Sequence, residues 1–316
     1  MNRLRKKTAV IGCGWFGSAH CRVYSSISDL VAVCDVDDKK AKKLSEEYRA
    51  NWYTDPVEMF EKENVDAVSV VVPPEHIPRV TKVAAEYGVD VLMEKPLGTR
   101  LDDVKNLMKY TKKVRIMPGF IELFNPMLDV LVENLENIGD TLIVSTKRIG
   151  LMPRRHWQIG VILDLAFHDL YVLDRLFGDV RGFHVTASYI HDDKFEDYAI
   201  IILEFKNGIK GLIEANWLTP FKERKIRVYG SKGTLEGDFI TQEIRLLLGL
   251  EKNLKFFNRE ISYKPIRTIE PLKIELEKFL YEEEDIVTLE DGIRILELAL
   301  NICKKAYETK KAMPET

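Results

Sequence analysis

Short apolar runs alternate with amphipathic stretches through the first 120 residues. KTAVIG, LVAVCD, DAVSVVV, VDVLMEK and VRIMPGF are brief, β-branched and nearly continuous, the pattern of strands buried on both faces. Between them GWFGSAHCRVYSSI, DDKKAKKLSEEY and EHIPRVTKVAAEYG show helical spacing, the last ending at Gly88 as a C′ stop. TRLDDVKNLMKYTKK predicts a further helix, with Thr99 as its N-cap and acids in its first turn. This alternation predicts an α/β fold: a Rossmann-type, doubly wound parallel sheet over residues 1–120.

From residue 121 the pattern changes. Helical stretches at 121–138 and 160–178 bracket TLIVSTKRIG, and longer β runs follow: FHVTASYI, DYAIIILEFKNG, IKGLIEANWL, ERKIRVYGSKGTLEGD and QEIRLLLGL. The turns KNGIK and GSKG predict antiparallel hairpins. EPLKIELEKFLYEEE and LEDGIRILELALNICKKAYE read as closing helices. Residues 121–316 are expected to form an α+β domain on a broad, largely antiparallel open sheet.

Composition narrows the classes. With 316 residues, 46% hydrophobic and 31% charged, the chain has material for two soluble domains. A formal charge of −3 gives no basic footprint for duplex DNA, so nucleic acid is not an expected partner. The longest apolar runs, AVSVVV and YAIIILEF, are strand-sized, and no membrane partner is expected. The basic N-terminus leads into only TAVI before glycines interrupt it, too short for a signal-peptide core. Cys13, Cys21, Cys34 and Cys303 form no CxxC pair and read as reduced thiols in a cytoplasm. His20, His156, His184 and His191 lack metal-ligand spacing, so no metal is expected.

The motif GCGWFG supplies Gly12, Gly14, Trp15, Phe16 and Gly17 between a strand and a helix, where glycines permit a tight turn and close approach to a pyrophosphate. The helix N-terminus adds partial positive charge. Asp35 ends the second strand, placed to accept from adenosine ribose hydroxyls. It would repel a 2′-phosphate, so NAD is expected over NADP. VVPPEH brings Val72, Pro73 and His76 to the cofactor side, and MEKPLG places Glu94 and Lys95 at a strand end, the edge where open α/β sheets bind ligands. VILDLAFHDLYVLD carries Asp164 and His168 four residues apart on one helix face, with Tyr171 and Arg175 on the same stripe. Histidine suits proton transfer near neutrality. Taken alone, the pair also fits a partly exposed couple of little energetic weight. Arg148, Arg155, Lys222 and Arg224 fit a diphosphate clamp, or equally a set of solvated surface charges.

GCGWFG, VVPPEH, EKPLG and the Asp164–His168 spacing, in that order over nearly the whole chain, resemble the Gfo/Idh/MocA family of sugar oxidoreductases. GFIELFNP, KRIGLMPRRHWQIGVILDLAFHDL and NWLTPFKERK are similar to its UDP-N-acetylglucosamine 3-dehydrogenase branch. The resemblance implies an NAD-dependent dehydrogenase oxidising a secondary hydroxyl of a sugar or nucleotide sugar, and an open sheet used for homo-oligomer contacts. It assigns Lys95, Asp164 and His168 to catalysis, and Asn125, Arg148 and Arg155 to the substrate. Leu123 stands where the branch usually has arginine, and Tyr171 where it usually has aspartate, which makes Tyr171 a candidate determinant of what is bound. Inositol or free-sugar oxidation, an NAD-dependent glycosidase and a non-catalytic sugar sensor are the alternative readings.

Overall fold

The structure, a computed structural model, describes residues 5–152, 159–249, 259–265, 268–282, 284 and 286–312. Two compact units emerge: Met1–Ile121 with Leu272–Glu297, and Glu122–Pro271 with Leu298–Thr316.

In the first unit, strands β1 (Lys7–Ile11), β2 (Asp29–Cys34), β3 (Asn51–Tyr53), β4 (Ala67–Val70), β5 (Asp90–Glu94) and β6 (Ile116–Gly119) form one sheet in the order β3-β2-β1-β4-β5-β6. Every pairing is parallel. Helices α1 (Trp15–Ile27), α2 (Asp38–Tyr48), α3 (Pro56–Lys62), α4 (Ile77–Glu86) and α5 (Leu101–Lys105) connect the strands. The strands are apolar throughout because both faces are covered: Val10, Val33, Val68, Val91 and Leu92 are fully buried. Strand order reverses at β1 and β4, and there the two strand ends stay joined, Val71 N donating to Ile11 O at 2.8 Å. Ligands of open α/β sheets bind at such a reversal.

Two departures from the sequence reading fall in this unit. The three-residue β3 and seven-residue α3 are too short for periodicity to reveal. The helix expected from Thr99 starts instead after Arg100 in extended conformation, runs five residues as α5, and tightens into a 3₁₀ turn over Asn106–Tyr110.

The second unit holds β7 (Thr141–Leu151), β8 (Val180–Ser188), β9 (Tyr198–Phe205), β10 (Lys210–Asn216), β11 (Leu218–Gly230), β12 (Gly233–Asp238), β13 (Ile244–Leu248) and β14 (Arg259–Tyr263). They form one sheet, β14-β13-β12-β11-β7-β10-β9-β8, antiparallel except for β7 with β10. The KNGIK turn closes the β9–β10 hairpin, with Gly208 at φ +92° and Asn207 Oδ1 accepting from Ile209 N. Ile143, Ile202 and Leu212 lie on one exposed face of the sheet, Leu212 paired with Ile202. The helical stretch at 121–138 breaks into a 3₁₀ turn, α6 (Pro126–Glu133) and a second 3₁₀ turn. Proline lacks the donor to continue a helix from upstream, so Pro126 restarts it. The 160–178 stretch opens with a π-helical turn, Ile162–Ala166, before α7 (Phe167–Phe177).

α8 (Pro271–Tyr281) and the first part of α9 (Leu289–Ala312) group with the first unit, although a division at 120/121 assigns them to the second. Arg115 beside β6 explains the grouping: its guanidinium donates to Phe279 O at 2.6 Å and Glu282 O at 2.7 Å. Among the described residues no helix is long and apolar enough to cross a membrane.

Candidate active site

The candidate cofactor site of the first unit is backbone. Gly12 holds φ +103°, and a Cβ there would collide with the Val71 carbonyl. A Cβ on Gly17 would collide with the Gly12 carbonyl. Around Gly14, the N-cap of α1, nothing stands within 4 Å of an added Cβ. The loop is thus closed on its protein side and open on the other, with the start of a 13-residue helix presented to the opening. A pyrophosphate fits that cradle.

Asp35 lies just beyond β2, part exposed. Its Oδ2 accepts from Cys13 N at 2.6 Å and its Oδ1 from Asp37 N at 2.9 Å, which fixes the carboxylate beside the glycine loop. Val36 is 91% exposed and brings no cation. Trp15 projects into solvent at 75% exposure, its ring stacked on Phe16. Val72, Pro73 and His76 form the loop after β4, with Val72 part exposed and the other two exposed.

Glu94 ends β5 with 4% of its surface accessible. Its Oε2 accepts from Lys95 N at 3.1 Å, and Oε1 lies 3.3 Å from His20 Nε2. His20 Nδ1 shares a hydrogen bond with Ser69 Oγ at 3.0 Å, and Ser69 Oγ another with Tyr24 Oη at 2.7 Å. A buried polar chain from α1 and β4 therefore backs the strand end that carries Lys95, itself part exposed. Burial pushes the Cys21 and Cys34 thiols up to about 12, which leaves them protonated and inert.

In the second unit, Asp164 is 8% exposed within the π turn, and His168 is part exposed in the first turn of α7. π turns recur at functional sites because they re-aim side chains within a helix. Tyr171 is only 2% exposed, and its Oη accepts from Glu122 N at 3.0 Å and shares a 2.8 Å hydrogen bond with His168 Nδ1. Tyr171, expected at the substrate, is in contact with the histidine.

Two more assignments change in the same way. Arg148 is 2% exposed. Nε lies 3.0 Å from Asp169 Oδ2, and Nη1 donates to Glu122 Oε1 at 2.7 Å. Burial works against its charge, but the two carboxylates outweigh that and hold the guanidinium well above its usual range. A guanidinium satisfied on two sides by carboxylates is a buried ion-pair centre, with Nε, Nη1 and Nη2 each already donating to a carboxylate. Asn125, also 2% exposed, caps α6 by accepting from Met127 N at 3.2 Å and donates to Phe239 O at 3.0 Å. Its amide is committed to structure. Arg155 lies outside the described residues.

Two further cations stand on β11, Lys222 and Arg224, the latter with Nη1 donating to Ile149 O at 2.6 Å and Glu223 O at 2.9 Å. Burial, with Arg148 next, lowers Arg224 to about 10, opposed by Asp169, Glu122 and Asp164. Lys222 keeps an exposed surface, and its partial desolvation, then Arg224 and Arg148, lowers it as well.

Sequence reasoning missed Glu122, Asp169 and Glu196. Glu196 Oε1 accepts from Ile162 N at 2.9 Å and its carbonyl from Val161 N at 2.9 Å, anchoring the start of the turn that carries Asp164. Gly160 leaves room for that carboxyl, which a Cβ would strike. The signal in the sequence was weak: an acid in FEDYAIII just before a strand. Among the described residues no group of three His, Cys, Asp or Glu side chains is placed to hold a metal ion.

Family models match two segments of the chain: an oxidoreductase family with NAD-binding Rossmann fold over residues 6–119, and the GFO/IDH/MocA C-terminal domain over residues 138–236. Myo-inositol 2-dehydrogenase of Thermotoga maritima is 28% identical, across 97% of this chain and 98% of its own length. UDP-N-acetylglucosamine 3-dehydrogenase of Acidithiobacillus ferrooxidans is 28% identical across 77% of each chain. A solved structure of the latter superposes with a TM-score of 0.86 at 23% identity, covering 97% of this chain and 99% of that one.

Proposed function

The chain belongs to the GFO/IDH/MocA oxidoreductase family and is an NAD-dependent dehydrogenase acting on CH–OH groups, and from that premise we propose that it oxidises a secondary hydroxyl of a nucleotide sugar. The best candidate is the 3-hydroxyl of UDP-N-acetylglucosamine. The observation that carries this reading is the pair of cations on β11: Lys222 is exposed and Arg224 part exposed, and burial, then repulsion from Arg148, lowers Arg224 to about 10. A diphosphate relieves that repulsion, and guanidinium forks match its geometry.

The proposed division of labour follows from chemistry. When bound, NAD supplies the hydride acceptor. His168 takes the hydroxyl proton, Lys95 stabilises the developing alkoxide charge, and Asp164 orients the sugar or the imidazole by hydrogen bonding. The buried chain behind Glu94 keeps the Lys95 backbone in place. We also propose a cytoplasmic location, and a homo-oligomer built on the exposed face of Ile143, Ile202 and Leu212, which light scattering on the purified protein checks.

A second reading, inositol oxidation, is favoured by one observation: Arg148 is neutralised by Asp169 and Glu122, which leaves fewer cations for a diphosphate. Incubation with NAD and a panel of nucleotide sugars, free sugars and inositols separates the readings. NADH accumulating with UDP-N-acetylglucosamine, with KM raised at least about tenfold in Arg224→Gln, supports the first. NADH from inositol alone, with KM indifferent to that substitution, supports the second. Released sugar without net NADH marks a glycosidase, and binding without either marks a sensor.

A further inference from the structure

We propose that Glu196 is a positioning residue for Asp164: a cap supplied from a distant strand end that holds the π turn in register and so aims the aspartate. The proposal rests on the reading of Asp164 as the group that orients the sugar or the imidazole.

A helix start leaves its first N–H groups without partners inside the helix, and a Ser, Thr, Asp or Asn beside it ordinarily supplies them. Here Gly160 and Val161 have no side-chain acceptor to offer. Glu196, 34 residues beyond Ile162, takes two of these donors. Its carbonyl accepts from Val161 N at 2.9 Å and its Oε1 from Ile162 N at 2.9 Å. At 4% exposure the residue leaves little room for water to replace either bond. Gly160 completes the fit, since a Cβ there would strike the carboxyl. The backbone beside Glu196 is fixed in turn. Asp197 N donates to Ser188 O at 2.9 Å, and Asp197 O accepts from Trp217 N at 3.0 Å. The Asp197 carboxylate accepts from Ile190 N at 2.7 Å and His191 N at 2.9 Å. The anchor therefore moves only with the ends of β8 and β10.

What it holds is an irregular piece of helix. Asp164 N donates to Gly160 O at 3.0 Å, an ordinary four-residue bond, whereas Phe167 N reaches back five residues to Ile162 O. Asp164 lies inside that widened turn and His168 just beyond it. In an unbroken α-helix the two would share one stripe. The extra residue changes the angle between them. A return to α spacing would rotate one flank against the other by about 100°, the arc of one residue. Both flanks resist that rotation. Glu196 pins the first, and the second, α7, is held by Tyr171 Oη on Glu122 N and by the ion pair of Asp169 with Arg148. Loss of the Glu196 anchor frees the turn to relax, and Asp164 then points elsewhere.

The test follows initial rates and Ile162 amide exchange in the full chain, with NAD and whichever nucleotide sugar, free sugar or inositol yields NADH fastest. Asp164→Ala should itself lower kcat. Glu196→Ala should lower kcat at least about tenfold, with the KM for NAD changed less than about twofold, and should unprotect the Ile162 amide. Glu196→Gln keeps an acceptor oxygen and should stay within about threefold of the parent. Gly160→Ala pushes the carboxyl aside without removing it and should fall between the two; it carries the comparison if Glu196→Ala does not fold. In an Asp164→Ala background either substitution should cost less than about twofold more, because the residue it acts through is already gone. A full loss repeated in that background overturns the proposal, and so does a folded Glu196→Ala enzyme with kcat intact and only Tm lowered. Full turnover in Asp164→Ala overturns the reading of Asp164 and the proposal with it, and that single variant tells this outcome from the other two.

Discussion

The glycine loop of the first unit and the polar cluster of the second do comparable work by opposite means. The loop is made of backbone: Gly12 and Gly17 clear space for a carbonyl each, and the opening is defined by atoms that are missing. The cluster is made of side chains drawn from residues 122, 148, 168, 169 and 171, each satisfied by another. At Gly12 and Gly17 the loop has no room for an added atom, whereas the cluster depends on each atom it has.

Substitution sharpens that contrast, beginning with function. His168→Ala should cost turnover about 10²–10⁴-fold while leaving NAD affinity within about twofold, and Gly12→Val should abolish NAD binding. Calorimetric titration with NAD alongside steady-state rates reads both; equal losses of NAD affinity in the two variants would erase the distinction. Next in size is Arg148→Met, which strands Asp169 and Glu122 without their cation and should destabilise the second unit by about 3–5 kcal/mol. Denaturant unfolding measures this, and an unchanged midpoint would mean that the buried triad contributes nothing.

Glu196 provides the pH-dependent case. Burial raises its carboxyl from 4.5 to about 7, against the pull of the Ile162 N–H. The folded state therefore keeps a proton that the unfolded chain releases between those values, and stability falls as pH rises across that window. The loss is complete above it and amounts to about 3 kcal/mol. Glu196→Gln keeps an acceptor for Ile162 N and should flatten the decline in Tm between pH 5 and 8. An identical slope in both proteins would refute this. The smallest effect is expected from Asn125→Ala: about 0.5–2 kcal/mol from the lost cap, and KM unmoved. A large KM change with intact stability would return Asn125 to the substrate.

The same contrast explains what could be read from the chain. The places of GCGWFG, Asp35 and EKPLG in the fold were legible because they depend on local order: strand, glycine turn, helix, strand end. The sheets followed from β-branched runs, and the β9–β10 hairpin from Asn207–Gly208. Arg148 was misread because an arginine shows its charge in a sequence but not its partners, and Asp169 and Glu122 lie 21 and 26 residues away. Asn125 was misread similarly, its capping role hidden by the motif that contains it. Tyr171 was expected at the substrate, and its contact with His168 Nδ1, three residues away, went unread. The π turn left no sign, since a helix that bonds over five residues keeps nearly the same apolar pattern as one that bonds over four.

Asp35 has a consequence for redesign. The carboxylate expected from the sequence to discriminate against a 2′-phosphate is also the acceptor for Cys13 N and Asp37 N. Selectivity and scaffold share two oxygen atoms. An exchange to serine or alanine, meant to admit NADP, would release the backbone of the glycine loop at the same stroke and weaken both cofactors together. Asp35→Asn keeps one acceptor and sheds the charge, so a change of cofactor in this chain begins there, with a cation supplied afterwards at the exposed Val36.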